Sequence, residues 1–369
     1  MLTGIAEIDQ ETYSKCLDFS IKSSGNLMVF GPAGVGKTEM AMQAAERSGY
    51  ASAYLNLSTI EAPDMIGLPQ VVDGRTCYAT PDMIPLYNPN EKPIVLIVDE
   101  LDKAKPELQN PCLELFQFRS LNGRKTNIHS VIATGNLPDE GAFSQPVSRA
   151  LTNRCSIYRL THSYGPWSEW ALNAQVNPLV ISFLSKNQEL LLQPPPSGDC
   201  TAYASCSPRS WSLAARDLDF AADKDVNFQS LLVASRVGTA ASIQFRVWLE
   251  HYRFIAPIVD DLVEKGKHPD ISSMTIDRIL VCAISALNAV AQTCRENVVQ
   301  GTTAKKKAAI SEKMVNVTNN VCKWLDSLDS EYCIGALKSV LSSQMIDQYR
   351  LVEVPAFMKV ILKVQQADR

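Results

Sequence analysis

The feature that most constrains this chain is the segment GPAGVGKT at positions 31–38, which separates a short apolar run from a helical pattern. The run Asn26–Phe30 predicts a buried strand, and Lys37–Arg47 predicts a helix. Between them, glycines let successive backbone N–H groups turn towards an anion, and the helix start adds its own unpaired N–H groups. This order of elements predicts a triphosphate site with Thr38 as a ligand for Mg²⁺. The predicted nucleotide-binding residues are Gly31, Pro32, Ala33, Gly34, Val35, Gly36, Lys37 and Thr38.

Two acidic residues follow a second apolar run. Ile94–Val98 (IVLIV) predicts a strand buried on both faces, and Asp99 and Glu100 come directly after it. At the carboxyl end of a strand beside the phosphate loop, Asp99 would hold Mg²⁺ through water. Glu100 would orient and polarise the attacking water. The alternative, charges that only favour the start of a helix, is weaker because the phosphate loop needs an acidic partner.

The first 160 residues alternate short apolar runs with helical patterns, which favours a parallel sheet covered by helices on both faces. The predicted fold class is therefore α/β, a P-loop NTPase. Strand patterns vanish after residue 160, so all-α regions are expected to follow. Further strands are predicted at Ala53–Leu57, Asn127–Thr134 and Ser156–Leu160, and helices at Thr275–Arg295, Lys305–Leu328 and Leu351–Gln366.

Composition excludes some classes of protein. A net charge of −4 over 369 residues gives no general signal for binding nucleic acid or anionic membranes. The longest apolar stretch, Ile279–Ala291, contains Ser285 and Asn288 and is too short to span a bilayer, so no membrane insertion is expected. The first residues lack the pattern of a secretory signal, and the ten cysteines form no CxxC pair. These features predict buried thiols in a reducing compartment and a cytoplasmic protein.

Five motifs in order resemble those of the AAA+ ATPases, and more narrowly the MoxR-like branch with its dynein-related, midasin-like relatives and its phage and bacterial members. VDELDKAKPELQNPCLELFQFRSLNG resembles the Walker B strand and the following helix, and VIATGNLPDEG resembles the sensor 1 strand. SQPVSRALTNRC resembles the arginine-finger segment, with Cys155 replacing the usual Phe. SPRSW at 207–211 resembles sensor 2 at the start of a lid helix. The resemblance covers roughly residues 10–255.

The resemblance implies roles for four further residues. Asn136 would contact the γ-phosphate or orient water, the alternative being a turn asparagine. Arg154 would be an arginine finger that reaches a neighbouring subunit, and Arg149 would assist it or only pair with a nearby acid. Arg209 would clamp the phosphates from the lid, the alternative being a solvated arginine at a helix start. The implied domains are the nucleotide-binding core at 1–160, the lid at 161–255 and a C-terminal helical domain of unknown role at 256–369.

One loop of the core resembles a loop that faces the central pore in this branch, and a second loop is a further candidate for that position. Ile60–Leu86 contains turn signals that predict a small hairpin insertion, with Tyr78 and Met65 as candidate contacts for a partner. Burial against the sheet is the favoured alternative for Met65. Ser120–Lys125 is the second loop, and a solvated hairpin with a turn at Asn122-Gly123 explains it equally well.

Together, the motifs and the resemblance favour a ring-forming ATPase, a homo-hexamer with chaperone-like action. It would use ATP and Mg²⁺ to remodel or assemble a partner protein, and the branch implies a partner with a von Willebrand factor A domain. A nucleic-acid motor or loader is a second class, disfavoured by the mild acidity and the lack of a DNA-binding module. A nucleotide-dependent scaffold with little turnover is a third, disfavoured by the presence of Asp99, Glu100 and Arg154.

Overall fold

The structure, a computed structural model of the whole chain, describes residues 4–79, 81–136, 145–193, 204–300, 311–341, 346 and 350–367. These residues divide into two compact units. Unit 1 contains the described residues of 1–166 together with 207–209, and unit 2 contains those of 167–193, 204–206 and 210–369. The predicted three-way division stays a prediction, although its second boundary, at residue 255, falls within one long helix, Thr239–Lys265.

Unit 1 is built on a six-stranded sheet in which every neighbouring pair is parallel. Its strands, with those of two hairpins, are β1 (Ala6–Ile8), β2 (Asn26–Phe30), β3 (Ser52–Asn56), β4 (Pro69–Val72), β5 (Arg75–Tyr78), β6 (Ile94–Asp99), β7 (Ser120–Leu121), β8 (Arg124–Lys125), β9 (Ile128–Gly135) and β10 (Ser156–Leu160). The spatial order of the sheet is β1-β10-β2-β9-β6-β3. The predicted α/β fold class of a P-loop NTPase is confirmed.

Helices connect these strands and continue through unit 2. They are α1 (Gln10–Lys22), α2 (Lys37–Arg47), α3 (Ala62–Ile66), α4 (Pro106–Phe118), α5 (Arg149–Thr152), α6 (Tyr164–Asn173), α7 (Pro178–Lys186), α8 (Pro208–Phe220), α9 (Val226–Val237), α10 (Thr239–Lys265), α11 (Ile276–Gln300), α12 (Glu312–Ser327), α13 (Ser330–Val340) and α14 (Pro355–Ala367). The predicted helix from 351 begins only at 355, because Pro355 holds Val354 in an extended conformation. Of the helix predicted from 305, residues 305–310 lie outside the described residues.

The central strands β2 and β6 are buried on both faces because they are apolar over nearly their whole length. Successive side chains point to opposite faces, so Met28 and Phe30 pack in one cluster with Leu108 and Leu115 of α4, while Val29 is buried on the other face. The carboxyl ends of β2, β9 and β6 lie next to each other, since Phe30 pairs with Gly135 and Val98 with Ala133. Side chains that follow these three strands therefore meet at one edge of the sheet, which is called the carboxyl edge below.

Both predicted hairpins are present. β4 and β5 pair in antiparallel fashion around Asp73-Gly74, and β7 and β8 pair around Asn122-Gly123. Met65 is fully buried, in agreement with the favoured interpretation that it is a core residue, whereas Tyr78 is 41% exposed. The two hairpins share one surface cavity, lined by Ile66, Thr76, Cys77, Tyr78, Leu121, Asn122 and Arg124. Whether they face a pore stays a prediction.

Unit 2 is helical and has an aromatic centre. The Phe183 ring of α7 lies 5.4 Å from the Trp211 ring of α8 and 5.3 Å from the Phe245 ring of α10, measured between ring centroids. The Trp211 indole N–H donates to the Leu190 carbonyl at 2.6 Å, so this buried polar group is satisfied. Within the described residues, none of the helices combines the length and the apolar character that crossing a bilayer requires.

Glu114 of α4 fastens the β7–β8 hairpin. Its carboxylate accepts the Gly123 and Asn122 N–H groups, each at 2.9 Å, and the Ser120 hydroxyl at 2.7 Å. Partial burial alone would raise the pKa of Glu114, but these hydrogen bonds favour the charged form and lower it. The turn has positive φ at both Asn122 and Gly123, the pattern of a tight hairpin.

We expect the hairpin to loosen in acid. A carboxyl group whose pKa is lower in the folded state stabilises that state above its unfolded pKa, and the contribution is lost as the pH falls through the folded pKa. Protection of the Asn122 and Gly123 amides from hydrogen exchange, corrected for pH, should therefore decline below about 4.5. In Glu114→Gln this decline should be absent and protection lower throughout, whereas Glu107→Gln, an exposed control on the same helix, should behave like the parent. Identical pH profiles in Glu114→Gln and the parent would contradict the assignment.

Candidate nucleotide site

The phosphate loop needs its glycines for physical reasons. The Gly31 N–H donates to the Gly135 carbonyl at 3.3 Å, and a Cβ atom at position 31 would lie only 2.7 Å from the Leu160 carbonyl oxygen. Gly34 and Gly36 have φ values of +78° and +93°, in the left-handed region that side chains disfavour. The backbone can thus curl between β2 and the start of α2, where Gly36 supplies no side-chain cap for the first N–H groups of the helix.

Lys37 lies at the centre of this loop. Its ammonium donates to the carbonyls of Gly31 at 2.6 Å and Pro32 at 2.7 Å, and to the Asn136 side-chain oxygen at 2.9 Å. Lys37 is only 8% exposed, so these acceptors offset the cost of removing the charge from water. The structure thus brings together the loop and Asn136, which the sequence predicts to be neighbours in the site.

Asp99 ends β6 at the same edge. Its carboxylate accepts the Tyr54 hydroxyl at 3.0 Å, the Thr134 hydroxyl, and the Glu100 backbone N–H at 3.0 Å. Tyr54 is on β3 and Thr134 on β9, so both neighbouring strands orient the carboxylate. The sequence analysis missed both residues, since only the strand order shows that they flank Asp99.

Glu100 lies partly buried beside Asp99, with a backbone φ of +56°. Such a conformation is uncommon for a residue with a side chain and costs about 1–3 kcal/mol, and it is concentrated at functional sites. The Glu100 carboxylate accepts the Lys103 ammonium at 2.8 Å. Burial would raise the pKa of Glu100, but hydrogen bonds from Lys103 and Ser58 outweigh it and lower that pKa. Glu100 is therefore held in its charged form.

Arg209 also approaches the phosphate loop, within unit 1. Its backbone N–H donates to the Gly34 carbonyl at 3.1 Å, and a Cβ atom at position 34 would lie 2.9 Å from the Ser207 hydroxyl. The Arg209 side chain is exposed at the start of α8. Its predicted contact with phosphate is a proposal that this position supports.

The two candidates for an arginine finger lie at the start of α5 and just after its end. Arg154 precedes β10, and its carbonyl accepts the Asn26 side-chain N–H at 2.8 Å, which places it at the amino edge of the sheet. Its guanidinium donates to the Gln117 side chain at 2.7 Å and to the Ala150 carbonyl at 2.5 Å. Arg149 is exposed at the first position of α5. The structure therefore does not bring Arg154 to the phosphate loop of its own chain.

The residues at the carboxyl edge fit MgATP. Within the described ranges, no three His, Cys, Asp or Glu residues form a cluster that would hold a metal alone. Mg²⁺ in phosphate sites is bound by one or two carboxylates, hydroxyl groups and the phosphates themselves, so Asp99 and Thr38 are a suitable pair. The glycine loop, where a Cβ atom has no room at position 31, is a suitable cradle for phosphate oxygens.

Comparison with known proteins agrees with this geometry. Residues 26–155 match the model of the AAA domain, dynein-related subfamily. The chain carries an AAA-type ATPase domain. The matched segment is about a third of the chain and runs from the start of β2 to Cys155, so it contains the phosphate loop, Asp99, Glu100 and Asn136. A comparison with curated proteins found no match.

Solved structures show only distant likeness. The RuvB Holliday junction branch migration motor of Thermotoga maritima shares 13% identity, over 70% of this chain and 78% of that chain, with a TM-score of 0.33. NtrX from Brucella abortus in complex with ADP shares 16% identity, over 92% of this chain and 68% of that chain, with a TM-score of 0.35. Likeness at this level says nothing about the substrate of the ATPase domain.

Lys37→Ala is expected to weaken ATP binding severely. The variant removes the buried cation and leaves the Gly31 and Pro32 carbonyls without their donor. Loss of one charge-assisted hydrogen bond costs about 1.5–3 kcal/mol, or roughly 10- to 150-fold in Kd, and Lys37 would make more than one to the phosphates. Calorimetric titration with ATP measures the change, with Lys22→Ala, an exposed lysine at the end of α1, as the control. Parental affinity in Lys37→Ala would contradict the site.

Glu100→Gln is expected to bind ATP normally but turn it over about 10²- to 10⁴-fold more slowly, the usual effect of removing a positioned base. The amide keeps the shape of the side chain but accepts a proton poorly. Steady-state phosphate release and ATP affinity should be measured on the same preparation. Glu107→Gln again serves as the control, and unchanged turnover in Glu100→Gln would place the base on another residue.

Proposed function

We propose that the chain is a ring-forming AAA+ ATPase of the MoxR-like branch that hydrolyses MgATP to remodel or assemble a partner protein. One observation carries the proposal: the candidate residues lie at two opposite edges of a single sheet. Lys37, Glu100 and Asn136 lie at the carboxyl edge, and Arg154 lies at the amino edge. In this proposal, a second copy of the chain would complete the hydrolytic site with its Arg154.

Each residue at the carboxyl edge has a part in this mechanism. Lys37 would bind oxygens of the β- and γ-phosphates, and Thr38 and Asp99 would hold Mg²⁺, which neutralises charge on those oxygens when bound. Glu100 would take the proton of the attacking water, since the hydrogen bonds that lower its pKa hold it in the charged form, which can accept a proton. Asn136 would contact the γ-phosphate or orient that water, and Arg209 would clamp the phosphates.

Distance supports delivery of the finger to a neighbour. Gly31 lies five residues beyond Asn26 along β2, about 16 Å at a rise of about 3.3 Å per residue. The Arg154 guanidinium is hydrogen-bonded to Gln117 and Ala150, so in the proposed ring it would serve the pocket of an adjacent copy. Arg149 would assist from α5. A closed ring of identical subunits, a homo-hexamer, gives each pocket one such finger.

The partner is proposed to be a protein, with a von Willebrand factor A domain as its candidate module and the cytoplasm as the compartment. The β4–β5 hairpin supports a protein contact, since its Val71 (78%) and Val72 (51%), and Leu68 (64%) just before it, are exposed to solvent. Exposed apolar groups of this kind are typical of protein interaction sites rather than nucleic-acid grooves, which are basic.

Mixing two inactive variants tests the ring mechanism. Arg154→Ala subunits keep an intact pocket and Lys37→Ala subunits keep an intact finger, so mixed rings contain interfaces where both are intact. We expect each variant alone to lose about 10³- to 10⁵-fold in ATP turnover, and the mixture to regain part of it. Arg47→Ala, a surface arginine paired with Asp18, should keep parental turnover.

Each possible result of this experiment either supports or contradicts the ring mechanism. Recovery in mixed rings supports the finger in trans, and the activity of the parent should also rise steeply with protein concentration. An inactive mixture in which mixed rings are shown to form, or a concentration-independent active monomer, contradicts it. Turnover that depends on added single-stranded DNA would indicate the nucleic-acid class instead.

A further inference from the structure

The turn that follows Glu100 contains a buried carboxyl group that the mechanism above does not use. Asp102 lies in the short 3₁₀ helix Leu101–Lys103 and is only 2% exposed. Its Oδ1 atom accepts the backbone N–H of Asn136 at 2.9 Å. Asp102 is thus the residue that holds the backbone at the point where β9 ends and Asn136 begins.

The same residue contacts the chain a second time. The Asp102 carbonyl oxygen accepts the backbone N–H of Gln145 at 2.5 Å. Asp102 therefore fastens the chain at both 136 and 145, by its side chain and by its backbone. The side chain needs glycine at position 135 for this approach, since a Cβ atom there would lie 3.0 Å from Oδ1 and 2.8 Å from the Phe30 ring.

Two cations and one hydrogen bond stabilise this buried carboxyl group: the Lys37 and Lys103 ammonium groups favour its charged form, and the Asn136 N–H donates to it. Its second oxygen, Oδ2, is buried and has no hydrogen-bond partner among the described residues. Burial raises the pKa of Asp102, although the hydrogen bond from Asn136 opposes the shift. A buried carboxyl group with only one hydrogen-bonded oxygen is costly. The hydrogen bond from the Asn136 N–H offsets part of that cost.

Asn136 is in turn held from the other side. Its side-chain oxygen accepts the Lys37 ammonium at 2.9 Å, while its N–H donates to Asp102. Two contacts on opposite parts of one residue fix both its backbone and its amide direction. We propose that Asp102 is a positioning residue that keeps the Asn136 amide in place over the phosphate loop for hydrolysis. This inference rests on the role proposed above for Asn136.

Two substitutions separate positioning by hydrogen bonding from other roles. Asp102→Asn keeps an oxygen that can accept the Asn136 N–H, whereas Asp102→Leu keeps the branched shape of the side chain, with larger methyl groups, and has no acceptor. We expect kcat for ATP turnover to fall about 10- to 100-fold in Asp102→Leu with little change in KM, as for other residues that orient a reacting group. Asp102→Asn should keep kcat close to the parental value, although its unpaired amide N–H groups lower stability.

Hydrogen exchange gives a readout that does not depend on turnover. Without nucleotide, the Asn136 amide of the full chain should exchange about 10- to 100-fold faster in Asp102→Leu, while Asp102→Asn keeps its protection. Asn127→Ala is the matched control: it removes a buried side chain that donates to the Lys92 carbonyl at 3.1 Å at the opposite end of β9. It should lower stability without changing either the Asn136 amide or kcat.

A double-mutant cycle completes the test. If Asp102 acts through Asn136, Asp102→Leu should lower kcat no further in a chain that already carries Asn136→Ala. Parental kcat or parental Asn136 exchange in Asp102→Leu overturns the proposal, and so does an inactive Asp102→Asn whose Asn136 amide stays protected. Additive losses in the cycle also overturn it. A parent that binds ATP without turnover would refute the proposed function, while the exchange experiment would still decide the role of Asp102. If Asp102→Leu does not fold, Asp102→Ala, which also removes the acceptor and adds no bulk, takes its place in each measurement.

Discussion

The parallel pairing of β2, β9 and β6 is the constraint on which the rest of the structure depends. Phe30 pairs with Gly135 and Val98 with Ala133, so the three strands end at the same level. The phosphate loop, Asn136 and the acidic pair follow these ends directly, so the strand pairing brings them together. A shift of register by one residue would turn every side chain of a strand to the opposite face. The apolar packing on both faces therefore fixes the register, and with it the positions of the site residues.

The strand pairing also brings charged side chains together at the carboxyl edge. Lys37 is almost fully buried, and its ammonium donates to the Gly31 and Pro32 carbonyls and to the Asn136 side-chain oxygen. The carboxylates have their own partners: Asp99 accepts hydroxyl groups, and Glu100 accepts the Lys103 ammonium. The Lys37 ammonium is thus held at this edge by neutral oxygens of the loop and of Asn136. Phosphate oxygens, which are stronger acceptors than carbonyls, would compete well for it.

The sequence predicted the parts of this arrangement that depend on local patterns. Asn26–Phe30, Lys37–Arg47 and Ser156–Leu160 have the predicted bounds, because apolar runs and helical spacing end abruptly at glycine or at polar residues. β1 was missed because its three residues include an exposed Glu7 and form only one edge of the sheet. The hairpin turns were found from Asn-Gly and Asp-Gly signals.

Local sequence patterns could not identify residues that reach the site only because of the order of the strands in the sheet. Tyr54 and Thr134 flank Asp99 only because β3 and β9 lie on either side of β6. Asp102 carries a weak local signal, a third acid shortly after Asp99-Glu100, but a surface charge explains that pattern equally well until its burial is known. Arg154 was found through a resemblance, and its place at the amino edge follows from the register of β10.

One stretch of chain, from Glu100 to Gln117, contacts both edges of the sheet. Asp102 holds Asn136, and Gln109 accepts the Ser148 N–H at 2.9 Å just before α5. At the other end of α4, Gln117 accepts a hydrogen bond from Arg154. In the ring proposed above, the helix that follows the hydrolytic glutamate therefore also supports the arginine offered to the next subunit. Coupling between sites needs a rigid element that both sites can bias, and the stretch from Asp102 to Gln117 makes contacts with Asn136 and with Arg154.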